Sequence, residues 1–219
     1  MQQLLVYSDS LSWGIVPNTR KRLAFVERWP GVMEDQLIRA GRSVRVVEDC
    51  LNGRRTVWED PFKPGRNGLT GLQQRIEVNS PLCLVILMLG TNDFQSMHDF
   101  NAWHSAQGTA TLVRAIRSAP IEPGMPTPQV LIAAPPPVRT PKGSIAPKFA
   151  GAAVKGKDLA AELQKVALEL GCAFFDAGTV VTTSAVDGVH LDAEQHLVLA
   201  HALAQQVARL LDKMVDSAR

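Results

Sequence analysis

Leu4-Leu5-Val6-Tyr7-Ser8-Asp9-Ser10-Leu11-Ser12-Trp13-Gly14 starts apolar and turns polar at Ser8. A short apolar run of this kind reads as a strand buried on both faces, and the polar half as the loop at its carboxyl end. In open α/β sheets that edge is where ligands and reacting groups gather. Four further runs read as strands: 43–48, the unbroken apolar stretch 81–89, 129–134 and 172–176. Helical segments separate them. One opens at Trp29-Pro30 and stops near Gly41, with Val32, Gln36 and Leu37 on its inner face and Glu34 and Asp35 outside. Others are expected over 69–78, 106–118 and 157–170. The last starts at a capping Asp192 and runs to 211, striped by Leu199, Leu203, Val207 and Leu210.

Strands alternating with helices imply parallel pairing through right-handed crossovers. The expected fold is a single α/β domain over residues 1–219. It is a three-layer α/β/α sandwich around a five-stranded parallel sheet in the flavodoxin-like order 2-1-3-4-5. That order makes neighbours of the first three strand ends, so Ser10, the Asn52-Gly53 turn and Asn92 surround one crevice.

Composition narrows the function classes. With 46% hydrophobic and 20% charged residues, the 219-residue chain suits a folded globular protein. A net charge of +2 gives no electrostatic case for nucleic acid or an anionic membrane. The basic clusters Arg20-Lys21-Arg22 and Arg54-Arg55 read as solvated loop charges. The three cysteines, Cys50, Cys83 and Cys172, are an odd number without metal-type spacing. Cys83 and Cys172 read as buried thiols, which fits a reducing compartment and a cytoplasmic location. No leader or spanning segment is expected.

The chemistry is carried by three short segments. A serine hydroxyl needs a base to take its proton, and the base needs an orienting group. Asp187 and His190 are three apart in Asp187-Gly188-Val189-His190, so one turn can aim both at the same mouth. Donors for a developing oxyanion are the backbone N–H groups of Ser10 and Gly53 and the Asn92 side chain in Gly90-Thr91-Asn92-Asp93.

Tyr7-Ser8-Asp9-Ser10-Leu11, Asn52-Gly53, Gly90-Thr91-Asn92-Asp93 and Asp187-Gly188-Val189-His190 together resemble the four blocks of the SGNH (GDSL) hydrolase family, in order and across nearly the whole chain. The resemblance implies Ser10 as nucleophile, Asp187 and His190 as the acid–base pair, and Ser10, Gly53 and Asn92 as the oxyanion hole. Ser10-Leu11-Ser12-Trp13-Gly14, Arg28-Trp29-Pro30-Gly31-Val32 and the segment from Asn52 to Pro61 are similar to the bacterial arylesterase/acyltransferase branch. That implies short-chain aryl or alkyl acyl esters as substrates, acyl transfer to alcohols, no cofactor or metal, and a homo-oligomer. Ser8 stands where the family has glycine. Trp13 and Trp58 are candidates for lining the substrate pocket or for filling core under the loops.

Two rival readings use the same residues. In a non-catalytic flavodoxin-like module the serine-rich loop would cradle the phosphate of a nucleotide. In a metal-dependent phosphoesterase Asp9, Asn92, Asp93 and His190 would converge on an ion.

Overall fold

The computed structural model describes residues 1–19 and 21–217, so Arg20 of the first basic cluster lies outside it. Five strands, β1 (Gln2–Ser8), β2 (Val44–Cys50), β3 (Leu84–Met88), β4 (Gln129–Ala134) and β5 (Ala173–Asp176), form one sheet. Every neighbouring pair is parallel, in the order β2-β1-β3-β4-β5. The α-helices are α1 (Ser10–Trp13), α2 (Trp29–Arg39), α3 (Leu72–Asn79), α4 (Ala102–Arg117), α5 (Ala152–Lys155), α6 (Leu159–Glu169) and α7 (Ala193–Ser217). None among the described residues is long and apolar enough to cross a membrane.

The period-two alternation of strand side chains divides the core in two. Leu4 and Val6, with Val46, Ile86 and Leu131, pack on one face against Met33 and Leu37 of α2 and Leu199, Leu203 and Val207 of α7. Leu5 and Tyr7, with Val85, Leu87 and Ile132, pack on the other against α3, α4 and α6 through Ile76, Val113 and Leu163. Each helix therefore buries one stripe and the sheet is covered twice, as its continuous apolar runs require.

The structure revises several details. Glu34, expected on the outer face of α2, is buried: its carboxylate accepts the Val46 N–H at 2.5 Å. β2 is an edge strand, and the helix above it supplies an acceptor that no further strand provides. Helix α4 begins earlier than expected because Asn101 accepts the His104 N–H at 3.2 Å while the His104 ring accepts the Asn101 N–H at 3.3 Å, a reciprocal cap. The seam of α7 adds a fully buried Leu211 to the expected Leu210, which is partly buried against the same core. Cys83 and Cys172 are only half-buried, because both sit at strand starts and not in strand interiors.

Arg54 and Arg55 overturn the expectation of solvated charges. Both are buried. Arg54 lies over the Tyr7 ring at 3.9 Å and donates to the Ser8 carbonyl at 3.0 Å and the Asp49 carboxylate at 2.6 Å. Arg55 pairs with Asp60 at 3.3 Å and donates to Gln95 at 2.5 Å and the Glu59 carbonyl at 3.1 Å. Their partners come from β1, from β2 and from the loops after β2 and β3, so the guanidinium groups tie those loops to the sheet. In the first cluster, Arg22 is also engaged, donating to the Trp13 carbonyl at 2.8 Å and pairing with Glu48 at 3.5 Å.

Candidate active site

Chain geometry at the end of β1 places Ser10. Asp9 caps α1 by accepting the Leu11 N–H at 2.9 Å, and Gly14 closes that single turn in a left-handed conformation (φ +84°). Ser10 is thereby the first helical residue, with its N–H among the orphan donors of a helix start. Neither the Ser10 N–H nor the Gly53 N–H meets a protein acceptor among the described residues. Gly53 has φ +82°, which its position in the turn after β2 requires.

The neighbouring hydroxyls are tied up elsewhere. Trp29 Nε1 donates to Ser12 Oγ at 3.1 Å, Ser12 to Ser8 Oγ at 2.6 Å, and Ser8 to the Met88 carbonyl at 2.7 Å. Ser8 and Ser12 are fully buried, so neither is placed as a nucleophile. The chain also gives Ser8 a use: its hydroxyl fastens the end of β1 to the end of β3.

Asp187 and His190 are held by a tight turn. One Asp187 oxygen accepts the backbone N–H groups of Val189 and His190, each at 2.9 Å. The other accepts His190 Nδ1 at 2.8 Å and the Asn18 N–H at 3.3 Å. This bond puts the proton on Nδ1 and leaves Nε2 as the basic nitrogen. Gly188, at φ +76°, is needed for a second reason: a Cβ there would lie 2.3 Å from the Thr140 carbonyl oxygen. The loop after β4 clasps the turn through Arg139 N–H to Gly188 O at 2.9 Å and Lys142 N–H to Asp187 O at 3.0 Å.

Burial alone would raise the Asp187 carboxyl, but the His190 ring, the backbone donors and the His190 charge outweigh it and hold it at about 2. The folded value lies below the ordinary 3.8, so this carboxylate adds stability above about pH 4 and loses it as pH falls toward 2. The contribution is on the order of 2 kcal/mol. Urea denaturation of the parent and of Asp187→Asn across pH 2–6 should therefore give curves that converge at the acid end. Parallel curves would overturn this origin for the acid limb. Asp9 behaves oppositely. Burial pushes it up to about 6, against the Leu11 N–H, the His190 charge and the Asn92 amide.

Asn92 is oriented by a chain of amides. Arg55 donates to Gln95 Oε1, so Gln95 Nε2 faces Asn92 Oδ1 at 2.7 Å. Asn92 Nδ2 then donates to Asp9 Oδ2 at 2.8 Å and to the Arg54 carbonyl at 3.1 Å. The Asp93 carboxylate turns the other way, to Thr56 N–H at 3.0 Å, Thr56 Oγ1 at 2.8 Å and Ser105 Oγ at 2.6 Å. The quartet of the metal-ion reading is therefore divided. Among the described residues, no group of three or more His, Cys, Asp or Glu side chains could hold a metal ion.

Ser10, Gly53, Asn92, Asp187 and His190 line one cavity of about 420 Å³. No hydrogen bond joins Ser10 to His190 in it; such contacts often close only around substrate. Trp13 and Trp58 are not among the lining residues. Trp13 lies beneath Arg22, 4.7 Å from its ring centroid, and Trp58 stacks on Phe100 at 4.1 Å. The walls that sequence reading missed come from the long loops: Ile15, Asn18 and Thr19 after β1, Lys63 after β2, and Ser144, Ile145, Lys148 and Phe149 after β4. Loop length was the sequence signal; no periodicity pointed to the particular side chains. His98 stacks on Phe100 at 4.9 Å. His196 accepts the Trp29 N–H at 3.2 Å and is held neutral, down to about 4, by burial and by the nearby Arg28 and His190 charges.

The model of the GDSL-like Lipase/Acylhydrolase family matches residues 9–198. No curated protein gives a match. Among solved structures, a carbohydrate acetylesterase from Sinorhizobium meliloti superposes with a TM-score of 0.90 at 33% identity, over 96% of this chain and all (100%) of that one. The aryl esterase of M. smegmatis does so with a TM-score of 0.90 at 35% identity, again over 96% and 100%.

Proposed function

Because the chain belongs to the GDSL-like lipase/acylhydrolase family, we propose that it is a serine esterase cleaving short-chain acyl esters, aryl or alkyl, through an acyl-enzyme. The observation that supports this most is the Asp187–His190 pair, fixed in one tautomer and sharing a cavity with the otherwise uncommitted hydroxyl of Ser10.

In this reading His190 Nε2 takes the Ser10 proton as Oγ bonds to the ester carbonyl carbon. The negative oxygen is received by the Ser10 and Gly53 N–H groups and by Asn92 Nδ2. Asn92 meets it by sharing the N–H now given to Arg54, the longer of its two bonds. His190 then protonates the departing alkoxide and the acyl group stays on Ser10. Water, deprotonated by the same nitrogen, attacks the acyl carbon, and Oγ leaves with the proton back from His190. An alcohol in place of water gives acyl transfer.

The similar structure described as an acetylesterase supports a small acyl group, and the one described as an aryl esterase supports an aromatic alcohol half. A cavity of about 420 Å³ has room for a small ester. The test is exposure of the purified protein to p-nitrophenyl acetate and to a serine-directed organophosphate. We expect turnover, a transferred acetyl group when an alcohol is added, and a covalent adduct on the peptide carrying Ser10. Turnover with the adduct on another residue would reject the assignment. Protein that binds a nucleotide but neither cleaves the ester nor reacts with the organophosphate would favour the binding-module reading.

A further inference from the structure

Apart from Asp187, which is engaged with His190, the charged groups lining the Ser10 cavity are lysines. Lys63 and Lys148 line it, contributed by loops far apart in sequence. Arg66 stands beside them: its side chain would lie 3.7 Å from a Cβ at Gly53, and its Nε donates to the Asn52 carbonyl at 2.9 Å. Its other hydrogen bonds also go to carbonyls, those of Pro64 and Gly65, and no carboxylate pairs with it among the described residues. Asp187 is the acid lining the cavity, and its oxygens are occupied by His190 and by backbone donors.

Asp60 is the acid nearest Lys148, at 4.0 Å. It already pairs with Arg55 at 3.3 Å and accepts the Phe62 and Lys63 N–H groups. The Lys148 ammonium is correspondingly uncomfortable. Burial lowers it, Asp60 opposes that, and Arg55, Lys63 and Arg66 add repulsion. Lysines on loops are ordinarily just solvated. Here the loops after β2 and β4 aim cations at the mouth of a cavity that also holds a nucleophile and a base.

A cleft lined by one sign of charge concentrates ligands of the other sign. We propose, resting on the esterase reading, that the ester cleaved at Ser10 carries a second, anionic group, a carboxylate, received by Lys63, Arg66 and Lys148. These three residues set specificity and touch no reacting atom. The carboxylate belongs to either half of the ester, and the substrates chosen separate the two.

The test uses four esters in two matched pairs. Mono-p-nitrophenyl glutarate carries the carboxylate on the acyl side, with p-nitrophenyl valerate as its neutral partner. 4-Acetoxybenzoate carries it on the alcohol side, with methyl 4-acetoxybenzoate as partner. We expect at least one acid to be favoured over its neutral partner by about tenfold or more in kcat/KM, equivalent to about 1.4 kcal/mol. That ratio should shrink with added salt, because partly exposed charges are screened. It should collapse in the double variant Lys63→Gln/Lys148→Gln. Neutral esters cleaved as well as both acids would overturn the proposal and leave the esterase reading intact. A preference unchanged in the double variant would overturn it equally. If none of the four is cleaved, the esterase reading falls with it.

Discussion

Replacing Ser10 by alanine abolishes ester hydrolysis and leaves the fold standing. The expected fall in kcat is on the order of 10⁴-fold or more, since members of a nucleophile–base unit are lost together rather than in part. The fold survives because the Ser10 hydroxyl makes no hydrogen bond within the described residues and opens onto the cavity. Its removal orphans no partner. The backbone N–H, the cap from Asp9 and the closure at Gly14 are untouched. Turnover of p-nitrophenyl acetate within tenfold of the parent, in a variant with parental circular dichroism and melting, would move the nucleophile to another residue. A variant that fails to fold would contradict the structural half of the claim.

The second large effect is on stability. Arg55→Met leaves Asp60 buried without its 3.3 Å partner and Gln95 without its donor. Breaking a buried pair from one side costs about 3–5 kcal/mol, because the surviving charge stays desolvated. The total stability of a domain is about 5–15 kcal/mol, so this is roughly a fifth or more of it, visible as a melting temperature lower by about 10 °C. Asp60 makes the pairing measurable from the other side. Burial works against its charged form, yet the Phe62 N–H, Arg55, Lys148 and the Lys63 N–H together hold its carboxyl below the usual range. Arg55→Lys retains the charge but not the fork and should recover part of the loss. A loss under about 1 kcal/mol in Arg55→Met, measured by denaturant titration, would show that the pair is not what holds these loops.

The five strands and their order were readable because continuous apolar runs such as 84–88 have few alternatives and parallel crossovers have one hand. The residues assigned to chemistry were readable for a different reason. Serine, glycine, asparagine and aspartate are ordinary turn residues, and what singled out Ser10, Gly53, Asn92, Asp187 and His190 was their place in four ordered blocks resembling one family; the structure brings them to one cavity. What could not be read depends on partners distant in sequence. Nothing local to Arg54-Arg55 announces Tyr7, Asp49 or Gln95. Nothing in α2 announces that Glu34 would find the bare N–H of an edge strand. The start of α4 was misplaced because its cap pairs Asn101 with a histidine, where acidic or amide side chains are the usual signal. Nothing beside Trp13 or Trp58 announces the contacts they make, with Arg22 and Phe100.

The turn holding Asp187 and His190 is fastened by backbone bonds from the loop after β4, while Ser10 belongs to the first strand's end. The proposed nucleophile and base thus lie on segments far apart in the sequence that only folding brings together. Under the proposed mechanism, hydrolysis would begin only once the turn holding Asp187 and His190 has docked, and turnover would report that docking.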